Sequence, residues 1–168
     1  RKNADTIRGH FALFEGKEDA ELLFWFGQAW MARVGLLKDQ PAIVGELFIG
    51  VAAMERSVEL NPTFNAGSGY AVLGAYHART RMAELGEAKA DFEKAIELSG
   101  GKNLLVKFNY AARYHCMKQD RTAYTNVLEE IVAAGDIVPE LRLLNTIAKR
   151  RARRFLSEKR MARCGFPQ

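Results

Sequence analysis

Residues 96–112 read IELSGGKNLLVKFNYAA. Two glycines and a lysine stand between two apolar-periodic runs. Such a stretch is either a loop that cradles phosphate or the bend between two helices. A nucleotide-hydrolase phosphate loop needs G-x-x-x-x-G-K-[ST] directly after a strand. Here Lys102 is followed by Asn103, the first glycine of the motif is missing, and the preceding DFEKAIELS has a helical period. The stretch therefore reads as a helix stop, a turn and the start of the next helix, with Asn103 near its cap.

Outward from that turn, the long apolar runs repeat near every 3.6 residues, and almost nothing alternates with period two. Helices are expected over about 18–36, from Pro41 to 59–62, over 66–83, 86–99, 102–118 and 120–134, and from Pro139 to about 160. Proline suits the first turn of a helix, and Gly35, Gly86, Gly100 and Gly135 punctuate ends. Asp120 is placed to cap the helix over 120–134.

The strongest internal signal is a repeat. MERSVELNP at 54–62 aligns with FEKAIELSG at 92–100, and YTNVLEEI at 124–131 is a weaker copy. Met54, Phe92 and Tyr124 take the large position of each unit, and Ser57, Ala95 and Val127 the small one. Spacings of 32–38 residues fit helix pairs that bury a face only against their neighbours. The expected fold is all-α: tetratricopeptide-like helical hairpins forming a short right-handed solenoid, closed by a C-terminal helix. A single domain over 1–168 is expected, with an N-terminal extension (1–17), helix pairs at about 18–62, 66–100 and 102–135, and a closing helix at 139–160.

The 168 residues, 48% hydrophobic and 27% charged, suffice for a real core. No apolar run is long enough for a membrane-spanning helix. Residues 1–17 show no secretory signal, although a chain beginning at Arg1 fits a processed or trimmed product. The net charge of +5 is uneven: KRRARRFLSEKRMAR at 149–163 holds eight basic residues against one acidic. Arg150, Arg151, Arg153 and Arg154 give three readings: a nucleic-acid contact, an anionic-lipid contact, or the solvated side of the closing helix. The last is favoured, because Leu141, Leu144, Ile147, Ala148, Ala152 and Phe155 form a packing stripe and stacking aromatics are absent. Cys116 and Cys164 can pair or both be free.

No catalytic constellation stands out, and neither metal nor cofactor is expected. His10, His77 and His115 lack spaced cysteine or carboxylate partners, and no G-x-S-x-G, H-E-x-x-H or C-x-x-C occurs. Two polar stripes do emerge. Asn103, Lys107, Tyr110 and Tyr114 share one helix side, and Tyr70, Leu73, His77 and Arg81 share another. They either line a concave surface for a ligand or partner, or pack with one wet edge.

The stretch FEKAIELSGGKNLLVKFNYAARYHCMKQDRTAYTNVLEEIVAA, together with PELRLLNTIAKRRARRFL at 139–156, resembles the T component of tripartite ATP-independent periplasmic (TRAP) transport systems. The upstream AWMARVGLLKDQPAIVGELFIGVAAMERSVELNPTFNAG is similar too, so the resemblance covers about 18–160. Its signature falls on Gly100, Gly101, Lys102, Asn103, Leu104, Leu105, Lys107, Tyr110 and Ala111, then on Leu141, Arg142, Asn145, Arg151 and Ala152. The resemblance implies a non-enzymatic accessory protein that docks the periplasmic solute-binding protein. It also implies self-association, as in trimers, a small hydrophobic or anionic ligand, and a periplasmic location with a lipid anchor ahead of Arg1. Asn103 and Asn145 are candidates for hydrogen bonds that fix the turn against the final helix. Tyr70, His77, Arg81, Asn103, Lys107, Tyr110, Tyr114, Arg142 and Asn145 are the candidate groove or partner residues. A helical-repeat adaptor for an unrelated protein or peptide, and a nucleic-acid binder using the basic helix, are the alternatives.

Overall fold

The computed structural model describes residues 2–79, 84–136 and 138–166. Among them every regular element is helical and no strand occurs. The chain forms two compact units, Arg1–Leu73 and Gly74–Gln168.

The first unit holds α1 (Lys2–Phe11), α2 (Asp19–Leu36), α3 (Pro41–Val44), α4 (Leu47–Leu60) and the start of α5 (Ser68–His77). Helices α2 and α4 form its centre, and α1 lies on α4. The crossing of α2 and α4 is set by two glycines. A Cβ on Gly27 would meet the Gly50 carbonyl oxygen at 2.9 Å, and one on Gly50 would meet the Gly27 oxygen at 3.1 Å. Backbone thus approaches backbone, which a side chain at either position forbids. Around that crossing Leu23, Phe24, Val51, Ala53, Met54 and Val58 are buried. Ser57 Oγ donates to the Ala20 carbonyl at 2.7 Å, which satisfies a buried hydroxyl.

Two features of this unit depart from the sequence reading. The N-terminal extension is helical over Lys2–Phe11. Its apolar positions Ala4, Ile7 and Phe11 make a stripe too thin to read alone, and the Arg8–Glu55 ion pair at 3.0 Å joins α1 to α4. The helix expected from Pro41 breaks between α3 and α4 at Gly45–Glu46. The Trp30 indole N–H of α2 takes the Glu46 carbonyl at 3.1 Å, so the break leaves that acceptor satisfied. Between α4 and α5, Asn65, Ala66 and Gly67 all have positive φ, which for Ala66 is a strained conformation.

The second unit continues α5 and adds α6 (Leu85–Leu98), α7 (Leu104–Asn109), a π-helical segment (Tyr110–His115), α8 (Cys116–Lys118), α9 (Arg121–Ala133), α10 (Arg142–Phe155) and α11 (Glu158–Arg163). Helix α6 packs on α7 and the π segment, and α10 packs on both α7 and α9. The core joins Leu104, Phe108, Ala111, Tyr124, Leu128, Ile131, Ala148, Ala152 and Phe166. Phe92 fills the space beside Gly74, where an added Cβ would lie 2.9 Å from the ring. The helix expected over 102–118 thus widens into a π turn in its middle. The expected closing helix ends at Phe155, where Ser157 is extended and its hydroxyl bonds the Arg154 carbonyl.

The three aligned repeat positions behave alike: Met54, Phe92 and Tyr124 are each fully buried. Cys116 and Cys164 form a disulfide, with Cα atoms 5.3 Å apart. Gln119, left-handed at the reversal into α9, donates through Nε2 to the Cys116 and Cys164 carbonyls at 2.7 and 2.6 Å. Asp120 caps α9 by accepting from the Ala123 N–H at 3.0 Å, as its position predicts.

The glycine crossing can be tested against a control glycine in α2, outside the crossing. Gly50→Ala should lower unfolding free energy by about 1–3 kcal/mol through overpacking. Gly35→Ala, where a Cβ meets nothing within 4 Å, should leave stability unchanged or raise it by up to about 1 kcal/mol. Urea denaturation midpoints compare the two.

Candidate functional site

The glycine-lysine turn is built from backbone. Helix α6 ends at Leu98, and two hydrogen bonds close its end: Gly100 N–H to the Glu97 carbonyl at 2.9 Å and Gly101 N–H to the Ile96 carbonyl at 2.8 Å. This pair defines a Schellman stop, which requires a left-handed residue, and Gly100 has φ +56°. Gly101 is also left-handed, at φ +69°, so the chain turns twice before α7 begins. Asn103 then caps α7, its Oδ1 accepting from Leu105 and Val106 N–H at 3.2 and 3.4 Å.

The turn is tied to α10 through Asn145. Its Oδ1 accepts from the Leu104 N–H at 2.9 Å, and its Nδ2 donates to the Lys102 carbonyl at 3.0 Å. Asn103 and Asn145 are both buried. Lys102 contributes its carbonyl here, while its side chain is on an exposed residue.

Beyond α7, the π segment gathers the aromatic residues. The Tyr110 ring stacks on Tyr114 at 5.1 Å, touches His115 at 4.5 Å and leans on Phe92 at 5.2 Å. Tyr110 remains half-buried, whereas Tyr114 and His115 are buried. The Tyr110 hydroxyl reaches a Glu93 carboxylate oxygen at 3.5 Å. Burial, with the Glu93 charge next, pushes the Tyr110 phenol well above its ordinary range. Burial likewise holds the His115 imidazole below its usual value, with Asp120 opposing and Lys118 adding to the shift. The His115 Nδ1 is buried without a hydrogen-bond partner. In α9 burial pushes the Tyr124 phenol up to about 12, and its hydroxyl donates to the Phe155 carbonyl at 3.1 Å.

The remaining predicted residues scatter. Lys107, on the turn before Tyr110, pairs with Glu130 of α9. Arg142 pairs with Asp136 at 2.7 Å, and that hydrogen-bonded partner holds the guanidinium pKa up. Tyr70 is half-buried on α5 in the first unit. Arg81 lies outside the described residues. Arg150, Arg151, Arg153 and Arg154 are exposed along α10, with Arg151 over the Phe108 ring at 6.0 Å and Arg154 over Phe155 at 5.8 Å.

His77 differs most from its sequence reading, which found no carboxylate partner. Its Nδ1 lies 2.8 Å from Glu84 and 3.2 Å from Glu87, and its Nε2 lies 3.7 Å from Asp91. The hydrogen bond from His77 holds the Glu84 carboxyl below its ordinary value. The only sequence signal was the spacing of Glu84, Glu87 and Asp91, which puts three acids on one face of α6.

Among the described residues, an all-helical frame carries a structural glycine turn, a buried asparagine bridge and a packed aromatic segment. The sequence model of the TRAP transporter T-component family matches residues 3–162, and the chain belongs to that family. It is a non-enzymatic accessory component of a TRAP transport system, a family whose members interact with the periplasmic solute-binding protein. Such components are periplasmic or membrane-associated. Among the described residues no helix is long and apolar enough to cross a membrane. The Cys116–Cys164 disulfide fits an oxidising compartment such as the periplasm. The chain finds no significant match among curated proteins.

Two measurements test this site. Asn145→Ala strips partners from a buried N–H and from the Lys102 carbonyl, and should cost roughly 2–3 kcal/mol in chemical denaturation. Lys102→Ala, which keeps that carbonyl, should stay within about 0.5 kcal/mol of wild type. The second measurement is the pH dependence of stability. With the folded His115 pKa lowered, the unfolded chain binds the extra proton first, near its ordinary value of about 6.5. Stability should therefore fall as pH drops below about 6.5, and stop falling on this account below the lowered folded value. His115→Asn should flatten that slope in denaturation curves taken between about pH 7 and 5.

Proposed function

We propose that the chain docks the solute-binding protein through the face of the second unit that carries Lys107 and Tyr110. The observation that carries this reading is the Tyr110 ring, half-exposed yet wedged between Tyr114, His115 and Phe92. A ring held this way loses little freedom when a partner covers it, which suits a binding hot spot. Glu93, paired with Lys89, and Lys107, paired with Glu130, give the face a mixed-charge rim that would set the partner's orientation. Tyr114 backs the contact. Asn103 and Asn145 hold the helices that present it, with Arg142 at the start of α10.

The same reading takes the helix pairs as tetratricopeptide-like repeats of one domain, stacked as a short right-handed solenoid closed by α10. Its support is the common burial of Met54, Phe92 and Tyr124 at aligned positions. Tyr70 and His77 belong to the first-helix stripe of such an array. A small hydrophobic or anionic ligand would lie along these stripes. Leu22, Trp25 and Phe26, exposed on α2, support self-association, as in a trimer. Lipid anchoring through a segment ahead of Arg1 completes the reading. The arginines of α10 are its solvated face.

Titration calorimetry against the solute-binding protein of the same transport system tests the docking face. Binding at micromolar concentration is expected, weakened at least about tenfold by Tyr110→Ala. An undiminished affinity in that variant would rule out this face, and no binding at all would rule out direct docking.

A further inference from the structure

The imidazole of His77 stands among three carboxylates that the docking reading does not use. Helix α6 presents Glu84, Glu87 and Asp91 to it, at the edge where α5 ends. His77 Nδ1 and one oxygen each of Glu84 and Glu87 lie within 4.8 Å of one another. The two nitrogen–oxygen separations are 2.8 and 3.2 Å. Ligands bound tetrahedrally at zinc distances lie roughly 3.3 Å apart, a spacing that both separations from the ring nitrogen approach.

The ring's second nitrogen strengthens the case. Asp91 lies on the Nε2 side, the place of the outer carboxylate in carboxylate–histidine–metal triads. At 3.7 Å Asp91 stands beyond direct hydrogen-bond reach and acts on Nε2 by its charge; with the ring proton on Nε2, the Nδ1 lone pair would face Glu84 and Glu87. Three electron-rich atoms would then converge, an arrangement that a cation bound between them stabilises. Among the described residues Arg79 approaches from the side, its Nη1 3.9 Å from Glu84. The glutamates are mostly exposed and free to adjust, while His77 is largely buried and fixes the position. One imidazole nitrogen with two carboxylate oxygens suits a borderline divalent cation better than calcium or magnesium, which prefer all-oxygen shells.

We propose that His77, Glu84 and Glu87 form a site for a zinc-class divalent cation, with Asp91 as the positioning residue behind the ring. Three protein ligands leave a fourth position to water, which makes the site exchangeable. The bound cation would clip the end of α5 to the first turns of α6 and neutralise the acidic face. The competing account has a proton on Nδ1 in place of the cation, donated in the hydrogen bond to Glu84.

Competition between the full chain and a chromogenic chelator for zinc, at neutral pH, separates the two accounts. One zinc per chain is expected, weakened at least about tenfold in both His77→Ala and Glu87→Gln and unchanged in His10→Ala. Far-UV circular dichroism checks that the variants fold; Glu87 is exposed, so its variant keeps the test decisive. No zinc binding at micromolar concentration would overturn the proposal. So would binding that survives either His77→Ala or Glu87→Gln. Docking of the solute-binding protein is read separately, at Tyr110, so either result leaves that question independent.

Discussion

The second unit depends on one buried amide. Asn145 donates to the carbonyl on one side of Asn103 and accepts from the N–H on the other, so it holds a stretch of main chain as a neighbouring strand would. A buried peptide group without a partner costs more than a typical hydrogen bond gains. The turn and α10 therefore fix each other's position. With α10 held there, Ala148 and Ala152 meet the core, and small side chains at those points let the helix lie close against α7 and α9. The two left-handed glycines serve the same end. They stop α6 within two residues and deliver the Lys102 carbonyl and Leu104 N–H to one side chain.

The cystine and Gln119 secure the far end of the rod that α7, the π segment and α8 form in succession. Cys116 follows the π segment and Cys164 follows α11, so the bridge ties the chain's last helix to the reversal before α9. Gln119 donates to the carbonyls of both cysteines, and Phe166 then packs against Tyr124 at 5.2 Å between ring centres. The C-terminal segment is thus held by a covalent bond, two hydrogen bonds and a ring contact. Its short α11 could not persist on helical propensity alone.

What sequence shows and what it hides follow from how local each cause is. The Schellman stop, the Asn103 and Asp120 caps and the aligned buried positions Met54, Phe92 and Tyr124 depend on near neighbours, and all were legible. The α1 helix was not, because Ala4, Ile7 and Phe11 gain their value from α4 and from the Arg8–Glu55 pair. The break before α4 was hidden for a similar reason: its free carbonyl is satisfied by a tryptophan 16 residues earlier. The acids around His77 sit 7, 10 and 14 residues beyond it, a spacing that matches no metal motif but closes up once α5 and α6 lie side by side. Of the nominated residues, Tyr110, Tyr114 and Lys107 share one rod and Asn103 meets α10 at Asn145, while Tyr70 lies in the other unit.

The π segment explains why Tyr110 stands where it does. In an α-helix the residue four places on lies beside a given side chain, and the residue five places on swings away. A turn closed by i→i+5 bonds is wider, so positions four and five both flank the first. Tyr114 and His115 accordingly take the two sides of Tyr110, at 5.1 and 4.5 Å. The wider turn is a less favourable backbone, kept here by the rings it brings together and by the junctions at either end. One of those rings carries a cost, since His115 is buried with Nδ1 unpartnered. On the docking reading proposed for this face, the turn holds one aromatic ring ready for contact, which lowers the ordering cost of binding.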